Sequence, residues 1–276
     1  VLSSSVSGVT YQMRLDADDS NVGPSLNGNG GDLNFPASPL ATTIYNVFAT
    51  NGNGCTNELL DKPIITVNPL PIPVLSSSDA DNIVCDGESV TFTASGGDEY
   101  EFFLDGISVQ GPSGLVAYTT TSLNDGETVT VDITNTTTGC NNMSAGITTT
   151  VNALPNPVIS GDQSVCLNES GVVYTTDAGM SNYSWSILGG VINAGLGSNS
   201  VSVTWNVVGA QSISVNYDNA NGCTANATTS LPVTVNALPN NTLATSDDEI
   251  CIGESAIIVL SSSVSGVTYQ MRLDAD

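Results

Sequence analysis

The sequence predicts an all-β fold, a linear series of antiparallel β-sandwiches. Three observations carry this. Short runs of β-branched and aromatic residues alternate with polar residues at a period of two, as in a strand with one buried face. Clusters of Gly, Asn, Asp and Ser separate these runs at hairpin spacing. The same landmarks then return about every 84 residues, the size of one small sandwich.

The clearest strands lie between residues 155 and 238. Residues 171–175 (Gly-Val-Val-Tyr-Thr), 183–187 (Tyr-Ser-Trp-Ser-Ile), 201–205 (Val-Ser-Val-Thr-Trp), 212–217 and 231–235 each read as a strand, with a turn at 218–222 (Asp-Asn-Ala-Asn-Gly). The preceding stretch repeats the pattern more weakly. Residues 90–94 (Val-Thr-Phe-Thr-Ala) are its counterpart strand, and 100–105 (Tyr-Glu-Phe-Phe-Leu-Asp) align with 11–16 (Tyr-Gln-Met-Arg-Leu-Asp). Six to eight antiparallel strands in about 84 residues make a sandwich.

One internal repeat is exact. Residues 1–18, VLSSSVSGVTYQMRLDAD, recur as residues 259–276, an offset of 258. A shorter repeat lies inside it. Val67-Asn68-Pro69-Leu70-Pro71 returns as Val151-Asn152-Ala153-Leu154-Pro155 and as Val235-Asn236-Ala237-Leu238-Pro239, in steps of 84. A last step of 90 closes the 258-residue period, so that period holds three related domains of unequal sequence. Cysteines keep the same rhythm. A Cys-x-[Gly/Asn]-Glu-Ser turn starts at Cys85, Cys166 and Cys251, and Gly-Cys closes with Cys55, Cys140 and Cys223. Domain limits are placed at the Leu-Pro linkers, where proline stiffens the connection. The expected divisions are residues 1–68, 69–154, 155–238 and 239–276. On this reading residues 1–68 lack the first strand and cysteine turn of their domain, pieces that appear only at 239–258. The chain is expected to be a window on a longer array, with the split domain completed by a neighbouring repeat of the same polymer. The rival is strand exchange between separate chains.

Composition bounds the function. The chain has 276 residues, 27 acidic and three basic (Arg14, Lys62, Arg272), no histidine, and a net charge of −24. Almost nothing is available to neutralise phosphates, which excludes nucleic acid as a partner and argues against binding to anionic membranes. No run of 18 apolar residues is present, so no membrane insertion by a helix is expected. Six cysteines without C-x-x-C spacing or histidine argue against zinc and for disulfides formed in an oxidising, extracellular compartment.

The layout of Leu-Pro, Cys-x-Gly-Glu-Ser, Tyr-x-Trp, Val-x-Val-x-Trp and Asn-Gly-Cys resembles the polycystic-kidney-disease-like (PKD-like) and immunoglobulin-like repeats of giant Bacteroidota surface proteins. The stretch 155–238 matches best. That resemblance implies tandem immunoglobulin-like sandwiches on a cell-surface fibre, as in gliding adhesins of the SprB type and other cargo of type IX secretion. It rests on scaffold residues and identifies no ligand.

The cysteines allow two pairings. One joins the two cysteines of a domain, Cys85 to Cys140 and Cys166 to Cys223. The other joins neighbouring domains, Cys85 to Cys223. In an immunoglobulin-like strand order the two cysteine turns sit at opposite poles, roughly 25–30 Å apart. A disulfide needs Cα atoms within about 7 Å. This leans towards the bridge between neighbours, while a differently placed first strand would restore the pairing within a domain. Cys55 and Cys251 have no obvious partner in either scheme.

Other candidates are weaker. Asp16, Asp18 and Asp19, Asp79 and Asp81, and Asp247, Asp248 and Glu249 sit in predicted loops as candidate calcium ligands, matching no EF-hand or glycine-rich repeat. Solvated loop charge is the favoured reading of them, because no motif is present. Trp185 and Trp205 suggest a sugar platform, but their place in alternating strands points to the core. Sequons at Asn135, Asn142, Asn168, Asn182, Asn226 and Asn240 follow from composition. Lys62, weighed as a partner for an isopeptide bond with an Asn, reads as a surface charge. Without histidine most acid–base catalysis is lost, and a carboxylate-pair hydrolase needs a cleft that small sandwiches rarely enclose. The expectation is a non-enzymatic shaft of a repetitive extracellular filament serving adhesion or gliding motility. The alternative is a glycan- or calcium-dependent binding repeat. Neighbouring repeats, and a surface glycan or substratum, are the expected partners.

Overall fold

The computed structural model describes residues 1–246 and 249–273. Asp247 and Asp248, two of the calcium candidates, lie outside the described residues. Every regular element among the described residues is a strand. The chain divides into two units, Val1–Ile83 with Gly87–Thr150, and Val84–Asp86 with Val151–Asp276.

The first unit contains a sheet ordered Leu26–Asn27, Val9–Leu15, Thr43–Asn51, Thr56–Glu58, with Ile64–Ile65 also paired to Thr43–Asn51. Val9–Leu15 and Thr43–Asn51 run antiparallel, with Met13 opposite Val47 and Leu15 opposite Tyr45. The period of two turns Tyr11 and Met13 inward. Thr43–Asn51 departs from it: Tyr45, Asn46 and Val47 are all buried in succession. Tyr11, Leu33 and Val47 form the small core of this part.

The same unit contains a second, fuller sandwich. One sheet runs Ile107–Ser113, Glu99–Leu104, Thr128–Asn135, Cys140–Met143, and the other Ala117–Thr120, Val90–Ser95, Val74–Ser77. Alternation is strict in Thr128–Asn135, where Val129, Val131 and Ile133 are fully buried. Phe92 from one sheet and Phe102 from the other both lie against Tyr118, with ring centroids 6.4 Å and 6.0 Å away. Burying side chains of this size contributes about 1.5–3 kcal/mol each, which is what holds two sheets of mostly Ser and Thr surface together.

The second unit holds the best-formed sandwich. Ser164–Cys166, Thr229–Asn236, Gly209–Asp218 and Ser181–Leu188 make one sheet, and Val172–Thr175, Ser200–Trp205 and Gly190–Ala194 the other. Ser164–Cys166 joins Thr229–Asn236 in parallel, with Val165 opposite Val235. Trp205 is fully buried and meets Tyr174 edge-on at 6.0 Å. Trp185 is also buried and donates from Nε1 to the carbonyl of Ser198 at 2.8 Å. Both tryptophans therefore belong to the core and offer no platform to a sugar. Gly190–Ala194 was not legible as a strand; it forms because Ser200–Trp205 offers it a partner. Further along, Thr242–Thr245 and Ile258–Ser261 form a separate antiparallel hairpin.

Candidate functional site

The residues singled out by the sequence fall into two groups, cysteine turns and acidic loops. The Gly-Cys turns are shaped by one asparagine each. At Cys223, Asn219 Oδ1 accepts from the backbone nitrogens of Asn221 and Cys223, both at 3.0 Å, while Gly222 N donates to Asn219 O. Gly222 has φ of +81°, a region where a side chain would be strained. The turn at Cys55 is built alike: Asn51 Oδ1 accepts from Asn53 and Cys55, and Gly54 has φ of +79°. At Cys140, Asn135 Oδ1 accepts from Thr137 and Thr138. The other cysteine turn uses its glutamate. Glu169 Oε2 accepts from Cys166 N, and Glu254 Oε2 from Cys251 N, both at 2.9 Å.

Within the second unit, Cys85 and Cys223 form a disulfide with a Cα–Cα distance of 5.6 Å. Three contacts with the Val-Asn-Ala-Leu-Pro segment bring the two cysteines together. Asn219 Nδ2 donates to Ala153 O at 2.9 Å, Asn221 Nδ2 donates to Asn152 Oδ1 at 3.0 Å, and Asp86 N donates to Asn152 O at 2.9 Å. Asn152 thus serves both the Cys85 segment and the Cys223 turn. Of the two pairings open at the sequence level, this is the one between residues 69–154 and residues 155–238. Cys55, Cys140, Cys166 and Cys251 take part in no disulfide; Cys140 is half-buried and the other three are exposed.

The acidic candidates are spread over several loops. Asp18 Oδ1 accepts from Ser20 N at 3.0 Å, and hydrogen bonding to Ser20 holds this exposed carboxyl below its usual pKa. Asp79 and Asp81 both accept from Ile83 N at 3.1 Å. Glu249 is exposed. Asp16 and Asp19 converge on the buried Asn46, whose Nδ2 lies 3.5 Å from Asp16 Oδ1 and 3.0 Å from Asp19 Oδ1. Lys62 completes this cluster, with Nζ 2.5 Å from Asp16 and 3.1 Å from Glu58. These two carboxylates, Asp16 first, raise the lysine's pKa and keep it charged. A protonated amine is a poor nucleophile, and the lysine's partners are carboxylates. Among the described residues no three His, Cys, Asp or Glu side chains gather in a metal-sized cluster.

Sequence reading missed two polar elements. Asn46 is the polar residue in a run of three buried positions, detectable only as a break in alternation. Tyr217 donates to Asp177 Oδ2 at 2.5 Å across 40 residues, and Tyr183 donates to the Asp177 carbonyl at 2.8 Å. Burial, followed by the bond to Asp177, pushes the Tyr217 pKa up to about 12.

Residues 151–233 match the family model of a PKD-like domain. No curated protein matches the chain. Solved structures match the chain at low identity. A structure of the fibronectin(III)-like modules of Clostridium thermocellum CbhA is 15% identical, covering 60% of this chain and 95% of its own, with a TM-score of 0.33. The D1–D4 ectodomain fragment of ICAM-5 is 14% identical, covering 75% of this chain, with a TM-score of 0.30. The N-terminal eight immunoglobulin domains of DSCAM are 13% identical over 83% of this chain, with a TM-score of 0.34. The chain spans 64% of the ICAM-5 fragment and 33% of the DSCAM fragment. At these scores the likenesses carry no argument about function. The PKD-like match and the strand architecture describe the chain as tandem immunoglobulin-like β-sandwich repeats.

Proposed function

We propose that the chain is part of the shaft of a repetitive extracellular cell-surface filament that supports adhesion or gliding motility. The observation that carries this reading is the Cys85–Cys223 disulfide, which ties a cysteine of one 84-residue repeat to a cysteine of the next. A bridge between repeats limits how far an array can be drawn out, and its survival requires an oxidising compartment. The exact 258-residue period supports the same reading, because long arrays of one unit suit reach rather than chemistry. The Bacteroidota assignment and export by type IX secretion rest on the resemblance of the landmarks alone.

The convergence of Asp16 and Asp19 on Asn46 favours a second reading, a glycan- or calcium-dependent binding repeat. Lys62 already supplies a cation to Asp16, so the shaft ranks first. A glycan array probed with the purified chain at several calcium concentrations separates them. Saturable, calcium-dependent binding to one glycan class would favour the binding repeat; a blank array with an intact fold favours the shaft.

A further inference from the structure

The first part of the chain bears an open cleft of about 540 Å³, with Met13, Phe35, Val47 and Leu59 on its apolar side and Asp61 and Lys62 on its polar one. The sequence of the next sandwich shows what is missing there. In that sandwich Val74–Ser77 and Val90–Ser95 pair as two strands of a covering sheet, and Phe92 and Ala94 are buried beneath it. In the first part, Leu2 forms an isolated antiparallel bridge to Leu33.

A matching pair of strands lies elsewhere in the chain with Leu243 and Ile258 of its inner face exposed. Thr242–Thr245 pairs with Ile258–Ser261, Leu243 opposite Leu260. Its closing contacts copy those of the covering pair. Ser78 N donates to Thr91 O and Ser78 Oγ accepts from Thr91 N; Ser246 N donates to Ile257 O and Ser246 Oγ accepts from Ile257 N. By this correspondence Ile258 stands where Phe92 stands, and Leu260 where Ala94 stands. Phe92 is wholly buried, whereas Ile258 is 49% exposed and Leu243 71% exposed.

The exact repeat names the occupant. The second strand of the hairpin, Ile258–Ser261, runs into residues 259–276, whose sequence is that of residues 1–18, so Val259–Ser261 match Val1–Ser3, and residues 9–15 form a strand of the sheet that carries the cleft. We infer that the cleft seats the hairpin of residues 239–258 from the copy that precedes it in a polymer of this repeat. Leu243 and Ile258 of that copy enter the space beside Met13 and Val47. The inference rests on the tandem-array reading.

The test extends the chain. Residues 239–258 are fused ahead of Val1, where the 258-residue period places them, in native form and with Leu243→Asp and Ile258→Asp in the added segment. Amide exchange is read in Val9–Leu15 and Thr43–Asn51, with the sandwich of Trp185 and Trp205 as internal standard for folding. The native extension is expected to slow exchange there by about tenfold or more, and the Asp version to leave it as in the unextended chain. Equal protection by both extensions, or by neither, overturns the inference. Spontaneous polymerisation of the unextended chain would place the donor on a separate molecule and overturn it too. Failure on any of these counts leaves the shaft reading to its own test, the glycan array at several calcium concentrations.

Discussion

Tyr217 is held neutral by its surroundings, and that has a consequence in alkali. Its pKa stands at about 12 in the folded chain, against an ordinary tyrosine value of 10.0. A raised pKa means that the unfolded chain loses this proton first. The contribution to stability is complete below pH 10 and is lost as pH rises from 10 towards 12. Denaturant titrations of the chain at pH 9, 10, 11 and 12 are expected to show this fall, with Tyr217→Phe less stable at pH 9 but flatter across the window. An identical slope in the variant would remove Tyr217 as its source. Trp205 is the matching case in the core. Its side chain is fully buried against Tyr174, so Trp205→Ala should cost about 3–5 kcal/mol in urea unfolding of that sandwich.

At the scale of elements, the turns carry most of the specific information. Asn219 satisfies two backbone donors in the Cys223 turn and donates to Ala153. Asn219→Ala removes all three bonds from a half-buried site. A loss of about 1–2 kcal/mol is expected, together with slower closure of the Cys85–Cys223 disulfide when the reduced chain is reoxidised with a small-molecule disulfide. Unchanged closure kinetics would show that the turn forms without the asparagine. Gly96 is a sharper case: φ is +119°, and an added Cβ would lie 2.1 Å from the carbonyl oxygen of Ile72. The strands themselves were legible because alternation and burial coincide, as in Ser200–Trp205, where every second residue is buried. Gly190–Ala194 was not legible, since Gly, Asn and Ala favour no strand and only its partner defines it. The cysteine pairing stayed open for a similar reason. Spacing permits several connectivities, and what selects one is the amide bonding of Asn152, Ala153, Asn219 and Asn221. The link from Tyr217 to Asp177 is beyond any local pattern, because 40 residues separate the partners.

For the whole molecule, the proposed shaft role turns on what the disulfide would do under load. Cys85 and Cys223 are 138 residues apart in sequence. Closing a loop of that length in a single cooperative domain would contribute about 5 kcal/mol by unfolded-state entropy. A bond between successive repeats acts otherwise, because each sandwich keeps its own core whether or not the bond is present. The cores around Phe92 and Phe102, and around Trp205, contain no cysteine pair, so their melting should change by much less than the loop-closure value on reduction. What should change is bending at the Leu-Pro linkers and the length over which a stretched array recovers. Resistance to pulling is set by the barrier to unfolding, and a covalent bond between repeats limits extension before that barrier is reached. Electron micrographs of fibres built from this repeat, before and after reductant, are expected to show greater curvature after reduction, while melting curves of the same samples hold nearly still. A large drop in melting with unchanged curvature would mean that the bridge stabilises individual domains, and the mechanical reading of the array would fall with it.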